Sequence, residues 1–264
     1  MSVKNDAHDA LLFGGTGLGK VVRFITNIYY RDIAIAAGGA HVVSLAFAGL
    51  LHPVLRHRYA KRVRDRKAPV CTKPLFVIGH SQGAIEALWQ ALTAAIRGER
   101  PVTAVFCLSG PLDGAPLASI VAFLKRLPKG LRSIFAGILE MIHGSEQLEG
   151  LQALAVRACS APRLPHIYLI AAACDGLVPI DSAWKFPAEY PQHLVHRCLL
   201  IASDEAIPDN LPEDVHLIRT SWGMDNHLTM IASRELQQFI REVIALSERG
   251  GQIQAEVDVV VGSV

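Results

Sequence analysis

Leu75-Phe76-Val77-Ile78-Gly79-His80-Ser81-Gln82-Gly83-Ala84-Ile85-Glu86-Ala87-Leu88-Trp89 is the stretch from which the rest of the chain is read. An apolar run, Leu75 to Ile78, is followed at once by Gly-x-Ser-x-Gly and then by a helix-forming segment. Strand, sharp turn and helix is the setting in which a serine is presented as a nucleophile. The turn is so tight that side chains flanking the serine would clash, hence glycine at 79 and 83. The serine then projects from the sheet with its own amide near a helix N-terminus, where a developing oxyanion is stabilised.

A serine hydroxyl needs a base, and the base needs a carboxylate to orient it. His166 to Ala172 reads as a buried strand and runs into Cys174-Asp175-Gly176-Leu177-Val178-Pro179, with an acid just past the strand end. Ser221 to Leu228 places His227 in a loop before the last clear helix. Ser81, Asp175 and His227 are therefore the candidate catalytic residues, in the order serine, acid, histidine. Asp113, which follows the neighbouring strand, is the rival acid. His193, His196 and His216 are the rival bases. His80, beside the serine, reads as a packing residue.

With these residues in place, the chain resembles the α/β-hydrolases, and within them the serine esterase and lipase branch. The matching pieces are Gly79 to Gly83, Cys174 to Pro179, Asn226-His227, Leu12 to Gly17 and Leu108 to Ala118. Gly14 stands where that family has a histidine in its oxyanion loop, and Leu112-Asp113 departs from the family's Pro-His-x-Gly. The resemblance spans roughly residues 10 to 245. It implies an α/β fold with a mainly parallel twisted sheet, helices on both faces and a helical cap insertion. It also implies cleavage of carboxylic esters through an acyl-enzyme, with an oxyanion hole from the backbone of Gln82 and of Gly15 or Thr16. No metal or organic cofactor is required by that chemistry. The same residues would serve a thioesterase or an acyltransferase, and a non-catalytic relative that binds a small molecule is a further class.

Strands are expected at Ala10–Phe13, Asp32–Ala37, Pro74–Ile78, Thr103–Leu108, His166–Ala172, Cys198–Ile201 and Val215–Thr220. Helices are expected at Leu18–Tyr30, Val42–Lys67, Gln82–Ile96 and Ser233–Leu246. Alternation of the two implies a parallel sheet. Nothing before Ala10 reads as a leading strand pair, so a trimmed version of the fold is expected. Residues 1–250 form one domain. Residues 115–160 exceed what a plain crossover needs and read as a cap lined for an apolar acyl group. Residues 251–264 are a tail without an assigned structure. The run Arg56 to Lys67 reads as the solvated face of a helix.

The 264 residues carry a net charge of +2, which implies no polyanionic partner such as nucleic acid. The five cysteines contain no C-x-x-C pair, which favours reduced thiols and a cytoplasmic setting. The uncharged run Ile33 to Leu51 is broken by Gly38, Gly39 and His41, so stable membrane insertion is not expected. One competing motif is Gly14-Gly15-Thr16-Gly17-Leu18-Gly19-Lys20, a G-x-x-x-x-G-K phosphate loop. Val21 follows where a magnesium-binding hydroxyl belongs, which disfavours a nucleotide hydrolase.

Overall fold

The computed structural model describes residues 7–14, 29–43, 53–68, 73–116 and 141–249. Among the described residues seven strands form one sheet: β1 Asp9–Phe13, β2 His41–Val43, β3 Leu75–His80, β4 Ala104–Leu108, β5 His166–Ala172, β6 Val195–Ala202 and β7 Val215–Thr220. Their order is β2-β1-β3-β4-β5-β6-β7, and all six pairings are parallel. The helices in the described residues are α1 Arg31–Ala36, α2 Pro53–Lys67, α3 Gln82–Ile96, α4 Glu146–Ala158, α5 Ile180–Ala183 and α6 Arg234–Glu248.

Continuous apolar strands are what a sheet covered on both faces requires. Alternate residues feed two cores. Leu11, Phe13, Val77, Val105, Cys107 and Leu169 pack with Ala84, Leu88 and Leu92 of α3 and Leu151 and Leu154 of α4. Leu12, Phe76, Ile78, Phe106, Tyr168 and Ile170 pack with Ile33 of α1 and Leu236, Phe239 and Ile240 of α6. Full burial of each large apolar side chain contributes ~1.5–3 kcal/mol, so either core anchors its helices firmly. The strand order reverses at β1, between β2 and β3, and ligands of open parallel sheets bind at the carboxyl ends of strands at such a point.

Two expectations are corrected. Residues 32–37 are not a strand: Arg31–Ala36 is a helix, and β2 begins only at His41. An Ile-Ala-Ile-Ala run is apolar in either reading, and alanine favours the helix. Ile33, Ala34 and Ala37 are buried on one side, whereas Ile35 is 57% exposed, which is helical spacing. Gly38 and Gly39, at φ 71° and 88°, then turn the chain into β2. The long helix expected from Val42 is a strand at 41–43 and a helix only from Pro53 among the described residues.

The basic run is not uniformly solvated either. Arg56 and Arg64 are buried against α3. Arg56 Nε donates to Glu86 Oε2 at 3.0 Å, His57 Nδ1 lies 2.7 Å from the same oxygen, and Gln90 Nε2 donates to Glu86 Oε1 at 2.7 Å. Burial opposes ionisation of Glu86, but these partners outweigh it and hold the carboxyl below its ordinary range. A buried charge persists only when paired in this way.

Most of the expected helix Leu18–Tyr30, residues 117–140 of the expected cap and the tail 251–264 lie outside the described residues. The described end of the cap segment contains α4, whose Leu148, Leu151 and Leu154 are buried in the core beside α3. No helix among the described residues is long and apolar enough to cross a membrane.

Candidate active site

β3 ends at His80 and α3 begins at Gln82, so Ser81 alone makes the turn between them. It does so at φ 56° and ψ −129°, a conformation costly for any residue with a side chain. A Cβ on Gly79 would lie 2.3 Å from the Gly83 carbonyl oxygen, and one on Gly83 would lie 2.1 Å from the Phe13 carbonyl oxygen. Both glycines are therefore fixed by backbone crowding. The Ser81 N–H donates to the Leu108 carbonyl at 2.9 Å, and the Ala84 N–H donates to the Ser81 carbonyl at 2.9 Å. The turn is thus tied to β4 on one side and α3 on the other. Gln82, at the first position of α3, sits at the positive end of the helix dipole.

Asp175 lies in the loop after β5 and His227 in the loop between β7 and α6. His227 Nδ1 donates to Asp175 Oδ2 at 2.8 Å, and both side chains are buried. Asp175 Oδ1 accepts from the N–H groups of Leu177 and Val178, each at 2.8 Å. Burial alone would raise the carboxyl's pKa. The His227 hydrogen bond and charge, the Val178 N–H and the Ser109 hydroxyl pull the other way and hold it below the ordinary carboxylate range. The His227 loop is itself braced, because Asn226 Oδ1 accepts from the Leu228 and Thr229 N–H groups at 3.1 Å. The elbow and this loop meet through His80, whose ring centre lies 4.9 Å from that of His227.

The rivals are placed elsewhere. Asp113 Oδ1 lies 3.4 Å from His143 Nδ1, and the Asp113 N–H donates to Ser182 Oγ at 3.1 Å. His166, His196 and His216 stand at the amino ends of β5, β6 and β7, and His193 precedes β6, so all four occupy the sheet edge opposite Ser81. His196 Nε2 is 3.1 Å from His166 Nδ1, and its ring stacks on Tyr168 at 4.5 Å. Gly15 and Thr16 of the expected oxyanion hole, and Gly15 to Lys20 of the competing phosphate loop, lie outside the described residues.

Cys174 Sγ and carboxylate oxygens of Glu205 and Asp225 lie within 4.8 Å of one another among the described residues. The thiol donates to Glu205 Oε1 at 3.1 Å. That bond first, then burial and the charges of Asp225 and Glu205, push it up to about 12.

Ser109 carries no local sequence signal of its own. It follows β4 at φ 43°, its N–H donates to the Ile170 carbonyl at 2.8 Å, and its hydroxyl sits by Met230 Sδ at 3.2 Å and by the Asp175 carboxyl. A polar residue at the carboxyl end of the strand between those of Ser81 and Asp175 was the available signal.

No family model and no curated protein matches this chain. Solved structures do. Aspergillus fumigatus lipase B superposes with a TM-score of 0.57 at 15% identity over 100% of this chain and 58% of that one. The chain thus spans little more than half of the fungal lipase. A metagenome-derived lipolytic enzyme, of the pair LipS and LipT, superposes with a TM-score of 0.50 at 14% identity over 92% and 94% of the two chains. Likeness at such identities speaks to architecture. With a seven-stranded parallel sheet, helices on both faces and a serine elbow after β3, the chain has the α/β-hydrolase fold.

Proposed function

We propose that the chain is a serine hydrolase that cleaves carboxylic esters through Ser81, His227 and Asp175. The 2.8 Å hydrogen bond between His227 and Asp175 carries the reading, because it joins two loops distant in sequence at the sheet edge where Ser81 stands. In the first half-reaction His227 Nε2 takes the Ser81 proton as Oγ attacks the ester carbonyl carbon. The carbonyl oxygen becomes an oxyanion, received by backbone N–H groups of Gln82 and of Gly15 or Thr16. Each such donor lowers the barrier by ~3 kcal/mol. His227 then protonates the leaving alcohol, and the acyl group stays on Ser81. In the second half-reaction His227 deprotonates a water that attacks the acyl-enzyme, and the acid departs as the proton returns to Ser81. Asp175 stays ionised throughout, which its depressed pKa favours, and holds the tautomer that leaves Nε2 bare.

The substrate has an apolar acyl group. Leu177, Leu228 and Trp222 are 48%, 62% and 82% exposed on the loops that carry Asp175 and His227. Large apolar side chains left facing water on the loops that carry the two partners of the serine suit an apolar ligand. The lipase and lipolytic enzyme that share the fold agree with this reading. The free thiols of Cys107, Cys159, Cys174 and Cys198 suit a reducing compartment such as the cytoplasm.

A series of p-nitrophenyl esters of increasing acyl length tests the proposal. Turnover should rise with chain length and fall by roughly 10⁴-fold or more in Ser81→Ala, with an unchanged circular dichroism spectrum. No turnover of any ester, or full activity in Ser81→Ala, would contradict it.

A further inference from the structure

His80 makes two hydrogen bonds that packing does not require. The Tyr30 hydroxyl lies 2.8 Å from its Nδ1, and the His227 carbonyl oxygen lies 2.8 Å from its Nε2. A carbonyl only accepts, so Nε2 carries the proton, Nδ1 is bare, and the Tyr30 hydroxyl donates to it. The relay has one direction: Tyr30 O–H to His80, then His80 N–H to the backbone of His227. Tyr30, His80 and His227 are all buried. Tyr29 grips the next peptide, its hydroxyl donating to the Leu228 carbonyl. Two successive carbonyls of the His227 loop are therefore held from the segment that leads into α1 and from the residue next to Ser81.

Gly14 fits the same design. A Cβ there would lie 2.7 Å from Tyr30 Cε2, so a side chain at 14 would collide with the ring that reaches His80. The glycine that departs from the resembled family's histidine thus makes room for Tyr30.

We infer that His80, oriented by Tyr30, is a positioning residue that fixes the His227 loop against the elbow. The kinetic consequence rests on the hydrolase reading; the geometry does not. Asp175 at Nδ1 and the Cys174 N–H on the Asp225 carbonyl tie His227 and its loop to the segment after β5. The bond from His80, covalently attached to Ser81, ties the same loop directly to the elbow. Burial first, and then the charge of His227, lower His80 to about 3, so it stays neutral and adds no second cation when His227 accepts the serine proton.

Three variants test this on the full chain: His80→Met, which removes both bonds; His80→Gln, whose amide nitrogen can still donate; and Tyr30→Phe, which loses one oxygen and frees the other His80 tautomer. The first readout is the downfield proton resonance of His227 Nδ1, identified by its loss in Asp175→Asn. It should shift or broaden in His80→Met and Tyr30→Phe and return in His80→Gln. The second is kcat per serine titrated by a fluorophosphonate. It should fall roughly 10- to 100-fold in His80→Met with little change in KM, since a displacement near 1 Å costs up to about 10²-fold. It should largely recover in His80→Gln. An unmoved resonance with native kcat per titrated site overturns the inference, as does a loss of titratable sites with native kcat in those remaining. If the unaltered protein is not labelled at Ser81, the hydrolase reading falls instead, and the resonance alone decides whether His80 positions His227.

Discussion

Asp175 Oδ2 and His227 Nδ1 lie 2.8 Å apart, while Asp175 Oδ1 is held at 2.8 Å by the N–H groups of Leu177 and Val178. Both carboxylate oxygens are thus spoken for, and the imidazole tautomer is fixed by a group that cannot swing away. Asp175→Asn would keep its carbonyl oxygen on the Leu177 and Val178 N–H groups and turn its N–H₂ toward Nδ1, which favours the wrong tautomer. We expect kcat to fall roughly 10⁴-fold. Asp113→Asn, whose partners are His143 and Ser182, should leave kcat near native. Ester kinetics on the two variants decide the matter, and loss in the Asp113 variant alone would reverse the assignment.

The elbow stores strain that can be measured. Gly83→Ala would place a Cβ 2.1 Å from the Phe13 carbonyl oxygen, and should destabilise the protein by about 3 kcal/mol. Ser81 sits at φ 56°, where glycine carries no steric cost and any residue with a Cβ, serine and alanine alike, is strained. Ser81→Gly and Ser81→Ala should both be inactive, with the glycine variant more stable by roughly 1 kcal/mol in urea unfolding. An alanine variant at least as stable would show that the turn carries no strain.

The elbow turn, β4, β5 and α3 are legible in the sequence because tight turns and buried parallel strands constrain residue type residue by residue. The expected bounds of His166–Ala172 and Gln82–Ile96 match the observed strand and helix to the residue. The β2 region was not, because Ile33-Ala34-Ile35-Ala36 satisfies both periods and only packing on α6 chooses between them. Arg56 and Glu86 escaped notice for a related reason, since two charges on separate helices do not announce that they are buried against each other. At the candidate site, the roles of Tyr30 and Ser109 depend on distances across the sheet edge that no local pattern encodes.

The histidine row at the far edge of the sheet makes stability depend on pH. Burial first, then His166, His216 and His193, lower His196 from 6.5 to about 3. The unfolded chain protonates this group near its ordinary value and the folded chain does not. Stability is therefore full above that value and falls as pH drops toward the folded one. The slope should be ~1.4 kcal/mol per pH unit for each proton taken up only on unfolding. His196→Gln removes one such proton and should flatten the curve between neutral and mildly acidic pH. Urea unfolding across that range measures it, and an unchanged slope would contradict the assignment.

The exposed apolar side chains on the loops of Asp175 and His227 predict selectivity. Trp222→Ser combined with Leu177→Ser should lower kcat/KM for long-chain esters roughly 10-fold, as removal of apolar contact with a substrate chain does. Acetyl esters should be little affected. An equal loss on short and long chains would place these side chains away from the acyl group.

Covalent labelling of Ser81 by a fluorophosphonate, read by mass spectrometry of the peptide that contains it, addresses the central claim most directly. The account predicts one adduct on Ser81 in the unaltered protein and almost none in His227→Ala over the same time. No adduct on Ser81, or labelling that proceeds as fast without the His227 imidazole, would contradict it.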